Sequence, residues 1–116
     1  MRHHSNIRKF GREKNQRNAL MRSLMRNLIR DSRIKTTTAK AKELRPMIEK
    51  LVTKAKSADV AARRLVVSRI QSPVEAKKLV DVIAPKYKGR AGGYTRIIRL
   101  PKRDLDGSPM SLIEFV

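Results

Sequence analysis

The sequence predicts an α+β domain: a small, mostly antiparallel three-stranded sheet packed by about four helices, preceded by an extended basic N-terminal arm. Three observations lead there. Apolar residues recur at helical spacing in separate stretches between residues 19 and 83, while short β-rich runs stand at residues 33–37, 94–100 and 110–116. Residues 1–12 carry cations but no hydrophobic period, only isolated Ile7 and Phe10. Strands that cover one another's polar backbone and helices that cover one face of them give a two-layer domain. The reading therefore divides the chain into an arm, residues 1–12, that orders on a partner, and a single domain, residues 13–116.

The first helix is expected from about Glu13 to Arg30. Leu20, Met21, Leu24, Met25, Leu28 and Ile29 form one apolar stripe. Arg22, Arg26 and Arg30 recur every four residues on another face, either solvated or following a phosphate backbone. "RIKTT", residues 33–37, is a strand. Thr37 or Thr38 then caps a second helix whose core face is Leu44, Met47, Ile48, Leu51, Val52 and Ala55. Pro46 lies inside that pattern and predicts a kink or a late start, since proline lacks an N–H and crowds the preceding turn.

A third, short helix follows in "SADVAARRLVVSRIQ", with Ser57 as its cap and Asp59–Arg63 as an i, i+4 pair. "SPVE", residues 72–75, is the sharpest local signal: Ser at the cap, Pro at the first helical position and Glu at the third make a capping box. Ala76, Leu79, Val80 and Ile83 supply that helix's core face, and Pro85 is expected to end it. The last two strands form a hairpin with a long loop, in which Asp106-Gly107 marks the turn.

Composition bounds the function. The chain has 116 residues, with 29 Lys plus Arg against 10 Asp plus Glu, a formal charge of +19. That excess repels itself in a compact state unless a polyanion offsets it. Nucleic acid fits best, and an acidic membrane surface second. Residues 86–103 hold seven cations and no acid, and residues 1–18 hold six cations and one acid, so the charge is densest at the arm and beside the last helix. Residues 37–85, with eleven cations and five acids, read as an ordinary solvated helical surface. The absence of Cys rules out disulfides and thiolate metal sites. No apolar stretch follows "MRHHSNIRKF", so no signal peptide is expected, and Leu/Val/Ile runs of two or three residues predict no transmembrane helix. Aromatic residues make up 3%, too few for a surface that binds single strands mainly by stacking.

"KGRAGGYTR", residues 88–96, poses the functional question. A phosphate-binding P-loop needs a strand before it, a helix after it and Lys-Ser or Lys-Thr at its end; here the order is helix, loop, strand and no such pair follows. The dinucleotide fingerprint fails on spacing and context. Gly89, Gly92 and Gly93 serve positive φ in the turn, or also let the backbone approach a sugar-phosphate chain, with Lys86, Lys88, Arg90 and Arg96 meeting its oxygens. Tyr94 packs on a ribose or base, or stays exposed, or joins the core. His3 and His4 have no third ligand nearby and read as extra donors in a basic arm. Glu43, Glu49 and Asp59 read as helix-surface acids. No catalytic constellation, cofactor or small-molecule substrate is expected.

Taken together, the basic "MRHH" opening, "RNALMRSLMRNLI", "IKTTTAKAKELR", "AARRLVVSRI", "GRAGGYTRI" and the closing "PMSLIEF" resemble, in that order, the bacterial large-ribosomal-subunit protein seventeen (L-seventeen) family. The resemblance covers nearly the whole chain. It implies an α+β structural constituent of the large ribosomal subunit near the exit of the peptide tunnel. Its partners would be large-subunit (23S) rRNA and neighbouring ribosomal proteins, with no membrane and no enzymatic role. Three positions depart from the pattern: His4 stands where Arg is commoner, Pro46 follows "KAKELR", and Asp106-Gly107 replaces Gly-Asp.

The candidate RNA contacts in the arm are Arg2, His3, His4, Arg8, Lys9 and Arg12. Those in the first helix and strand are Lys14, Arg17, Arg22, Arg26 and Lys35. Lys40, Lys42 and Arg45 follow on the second helix, then Lys88, Arg90, Gly92, Gly93, Tyr94, Arg96 and Arg99 in and after the loop. Two other classes compete. A DNA-binding or nucleoid-associated protein would use a helix pair, but no pair has a clear three-to-four-residue turn with a polar reading face. A membrane-active protein would use the Arg-rich first helix, whose apolar stripe the domain needs for its core.

Overall fold

The computed structural model describes residues 13–116. The arm expected at residues 1–12 lies outside the described residues. Element order is α1 (Lys14–Asp31), β1 (Arg33–Thr37), α2 (Thr38–Ala55), α3 (Val60–Ile70), α4 (Pro73–Lys78), β2 (Thr95–Leu100) and β3 (Met110–Phe115). The strands form one antiparallel sheet in the order β1-β3-β2. The last strand is therefore central. Its register sets Ile34 and Ile97 on either side of Ile113, and Arg33 and Arg96 on either side of Glu114.

Strand alternation divides the sheet. Ile113 and Ser111 point to one face and are fully buried beneath the helices, with Ile34, Ile97 and Phe115 packed partly against the same core. That core is built from Met21, Met25, Leu28 and Ile29 of α1, from Leu44, Ile48, Leu51 and Val52 of α2, from Val66 and Ile70 of α3, and from the residues after α4. Thr38 in the first turn of α2 shares a 2.7 Å hydroxyl–hydroxyl hydrogen bond with Ser111, so this polar pair at the layer contact is mutually satisfied.

Several local expectations are corrected, the late start of α2 at Pro46 among them. Helix α2 starts at Thr38, capped by the Thr37 hydroxyl, which accepts from the Lys40 N–H at 3.4 Å, and runs through Pro46 without a late start. An interior proline costs about 3 kcal/mol, whereas each fully buried Leu, Ile or Val contributes about 1.5–3 kcal/mol, and α2 buries Leu44, Ile48, Leu51 and Val52. Packing wins. Pro46 lies on the exposed side, and so does Met47, 36% exposed rather than in the core.

Helix α3 is capped by Asp59, which accepts the Ala62 N–H at 2.7 Å, and not by Ser57, whose hydroxyl donates to the Lys54 carbonyl at 3.0 Å. With Asp59 engaged in its cap, Arg63 reaches across to Asp81 at 2.7 Å. The capping box at Ser72 forms between side chains: the Ser72 hydroxyl donates to Glu75, and Ser72 makes no side-chain bond to a backbone N–H. That bond is the main cause holding the Glu75 carboxyl below its usual range.

Finally, Pro85 does not end the last helical stretch. Leu79–Ile83 widens into a π-turn closed by the Ala84 N–H on the Leu79 carbonyl, and a 3-10 turn, Ala84–Tyr87, carries Pro85 past it. A widened turn just before a proline relieves the crowding that its ring would impose on a regular helix. Leu79, Val80, Ile83 and Ala84 stay buried throughout.

Candidate nucleic-acid interface

The glycine loop closes over the helices. The Arg90 N–H donates to the Tyr87 carbonyl at 2.9 Å, and the Arg90 Nε donates to the Gly92 carbonyl at 3.2 Å. Gly93 alone of the loop glycines has positive φ, +65°; Gly89 and Gly92 do not need their conformational freedom for the turn. Of the three readings of Tyr94, the structure shows the core-packed one. Its ring is fully buried, with its centroid 5.2 Å from that of Tyr87 and 5.1 Å from the Lys56 ammonium. Its hydroxyl donates to the Arg90 carbonyl at 3.1 Å and lies 3.2 Å from the Thr53 hydroxyl. Lys56 first, and Thr53 second, hold the phenol below its usual range. The buried Tyr94 ring thus supports the loop from beneath, at the wall of the groove described next.

Glu49 of α2, read from sequence as a surface acid, is the second anchor. Its carboxylate accepts the Thr95 N–H at 3.2 Å and the Thr95 hydroxyl at 2.8 Å, with the Arg45 Nε at 3.5 Å. Desolvation pushes the Glu49 carboxyl up, but the hydrogen bonds from Thr95 and Arg45 outweigh it, and the group sits below its usual range.

Between α1, α2, α3 and this loop runs an open groove of about 880 Å³. Arg22 of α1, Lys50 and Lys54 of α2 and Arg69 of α3 line it, with Met25, Met47, Leu51 and Leu65 as its apolar lining and Gly92 at the loop end. The acid at its wall is Glu49, already bonded to Thr95 and Arg45. Lys50, Lys54 and Arg69 were absent from the candidates read from sequence. The i, i+4 spacing of Lys50 and Lys54 on α2 put them on one face, but nothing local brings Arg69 and Arg22 opposite them.

The Arg row of α1 does not act as a unit. Arg22 faces the groove. The Arg26 Nη1 donates to the Ile70 carbonyl at 2.9 Å, a cation at the C-terminal end of α3. Arg30 pairs with Asp31 at 3.1 Å. Arg17 is buried and Lys14 exposed. Lys42 and Arg45 are exposed on α2, Lys40 is half-buried, and Lys88 and Arg90 are exposed around the loop, where Gly92 and Gly93 are half-buried.

A second cationic surface is the sheet face turned away from the helices. Arg33, Lys35, Arg96 and Ile98 are exposed on it, and Leu112 and Glu114 half-buried. The Arg96 Nε bonds Glu114 at 2.7 Å. Arg99, opposite Ser111 on the edge strand, is exposed.

The fold and the groove define a small basic α+β domain with an open cationic cleft rather than an enclosed catalytic pocket. No group of three metal-ligating side chains occurs among the described residues, and none of their helices is long and apolar enough to cross a membrane. The sequence profile of the ribosomal protein L17 family matches residues 20–116, and the chain belongs to that family, one of ribosomal proteins and not of enzymes. It is similar to the large ribosomal subunit protein bL17 of Sphingopyxis alaskensis, 50% identical over all of this chain and 84% of that one. It is also similar to bL17 of Nautilia profundicola, 48% identical over all of this chain and 98% of the relative, and to that of Thermomicrobium roseum, 47% identical over all of this chain and 99% of the relative.

Proposed function

We propose that this protein is a structural constituent of the large ribosomal subunit that holds 23S rRNA electrostatically. Its relatives carry the large-subunit name, and its charge of +19 supports a polyanion partner. The observation that carries the RNA reading is the convergence of Arg22, Lys50, Lys54 and Arg69, from three helices, on one groove whose wall acid is already engaged. Cations brought together in this way repel one another until phosphates replace their counterions, and the release of those counterions drives binding. The sheet face with Arg33, Lys35 and Arg96, on the side away from the helices, is a second cationic surface for rRNA, and the loop cations Lys88 and Arg90, Arg99, and the α2 cations Lys40, Lys42 and Arg45 add further contacts. The cations of residues 1–12 add to the charge. Arg26 and Tyr94 serve this surface by positioning its elements. A place near the exit of the peptide tunnel, beside other ribosomal proteins, rests on the family resemblance.

Sedimentation of a lysate containing the tagged chain tests the assignment. It is expected to travel with the large subunit on a sucrose gradient. Migration with chromosomal DNA, or at the top of the gradient under conditions that preserve subunits, contradicts it.

A further inference from the structure

The groove sets its cations around a concave apolar floor. Met47 is 36% exposed on α2 and Leu65 is half-buried on α3, directly among Arg22, Lys50, Lys54 and Arg69. A duplex has no use for that floor. A-form RNA presents phosphates and 2′-hydroxyls to a protein while its bases stay stacked inside. An unstacked nucleotide does have a use for it, because its base is a flat apolar plate flanked by two phosphates. Thioether sulfur packs well against aromatic faces, and a volume of about 880 Å³ suits an occupant of small-molecule size.

Resting on the rRNA reading above, we infer that this groove seats a splayed-out rRNA nucleotide, its base on Met47 and Leu65 and its flanking phosphates on Arg22, Lys50, Lys54 and Arg69. Charge complementarity selects the occupant: a peptide filling the same place would have to be strongly acidic. The groove is thus the point at which an otherwise shape- and charge-reading protein detects a bulge or loop, as opposed to any helix of similar length.

The test uses the full chain and two hairpin RNAs of equal length at one salt concentration, one fully paired and one with a single bulged 2-aminopurine nucleotide. Three variants accompany the wild type: Met47→Glu, the conservative Met47→Phe, and Val74→Glu. The last places the same charge at a 77% exposed site on α4, outside the groove. The bulged hairpin is expected to bind about tenfold tighter than the paired one. Met47→Glu is expected to abolish that preference, and Met47→Phe and Val74→Glu to keep it. Circular dichroism confirms that each variant is folded. Equal affinity for the two hairpins, or equal losses in Met47→Glu and Val74→Glu, overturns the nucleotide seat and leaves RNA binding standing. Binding of a poly-glutamate peptide that is stronger than that of the bulged hairpin and lost in Met47→Glu assigns the groove to a protein instead. Affinity for both hairpins no greater than for duplex DNA of the same length defeats the RNA reading itself.

Discussion

Glu49 and Thr95, forty-six positions apart, are joined twice: one carboxylate oxygen takes both the backbone N–H and the hydroxyl of Thr95, at 3.2 and 2.8 Å. Strand β2 is an edge strand, and the Tyr94 carbonyl just before it is engaged by the Val116 N–H at 2.9 Å. Alternation then turns the Thr95 N–H outward, where only α2 can satisfy it. The bond ties the end of the glycine loop to the helix that carries Lys50 and Lys54, so it fixes one wall of the groove against another.

This tie is pH-dependent. The Glu49 carboxyl in the folded chain sits below its ordinary 4.5, so its contribution to stability is fully present above about that pH. It is lost as pH falls through the folded value. Wild type is therefore expected to melt above Glu49→Gln by a constant margin at pH 5.5–7, and the margin is expected to shrink as pH drops below about 4.5. Melting curves across pH 3–7 check it, and a margin that grows on acidification contradicts the assignment.

Tyr94→Phe separates the two roles of the loop tyrosine. It removes the hydroxyl that holds the Arg90 carbonyl and Thr53 but keeps the ring. A fall in Tm of a few degrees is expected, since one hydrogen bond is worth about 1 kcal/mol and that shifts a domain of this size by roughly 4–8 °C. RNA affinity measured below the new Tm is expected to stay within about twofold. A large loss of affinity at unchanged Tm would place the hydroxyl on the ligand.

Ala58 has φ +59°, in the left-handed region just beyond α2, where a Cβ is crowded by the backbone. Ala58→Gly removes that strain and adds freedom to the unfolded chain. Their difference is expected to stabilise the fold by about 0.5–1 kcal/mol. Urea unfolding measures it directly.

In the β2–β3 loop, Asp106 is pulled down to about 2, first by its hydrogen bond from Arg103 and then by the Ser108 N–H. Carboxyl carbon shifts followed by NMR are expected to show its midpoint near that value in the wild type, and in Arg103→Ala a midpoint moved toward the ordinary 3.8.

Much of the fold was legible because its signals are local. The strand at residues 33–37 and the threonine cap after it, the apolar stripe of α1, and the turn at Gly107, which has φ +69°, all follow from period and turn chemistry. Several of the failures share a cause: they depend on a partner distant in sequence. Pro46 is tolerated because of what α2 packs against. Arg63 turns to Asp81, eighteen positions on, while Asp59 is taken up by the cap of α3. Glu49 looked solvated because Thr95 is far along the chain. The site was half legible for the same reason. The sequence points to the loop and to Arg22, but Lys50, Lys54 and Arg69 become one rim only when three helices pack. Tyr94 left its role open because a tyrosine after two glycines suits a core and a stacking platform equally.

The account rests on a cationic surface whose charge is balanced by rRNA, and the salt dependence of binding measures that most directly. Full-length chain titrated against a 23S rRNA fragment and an equal-length DNA duplex gives affinity as a function of salt for each. With six to ten phosphates contacted, affinity for the rRNA is expected to fall about 10³–10⁵-fold between 50 and 200 mM salt, while exceeding affinity for DNA at every concentration. A weak salt dependence, or DNA bound as tightly as the rRNA fragment at matched salt, contradicts it.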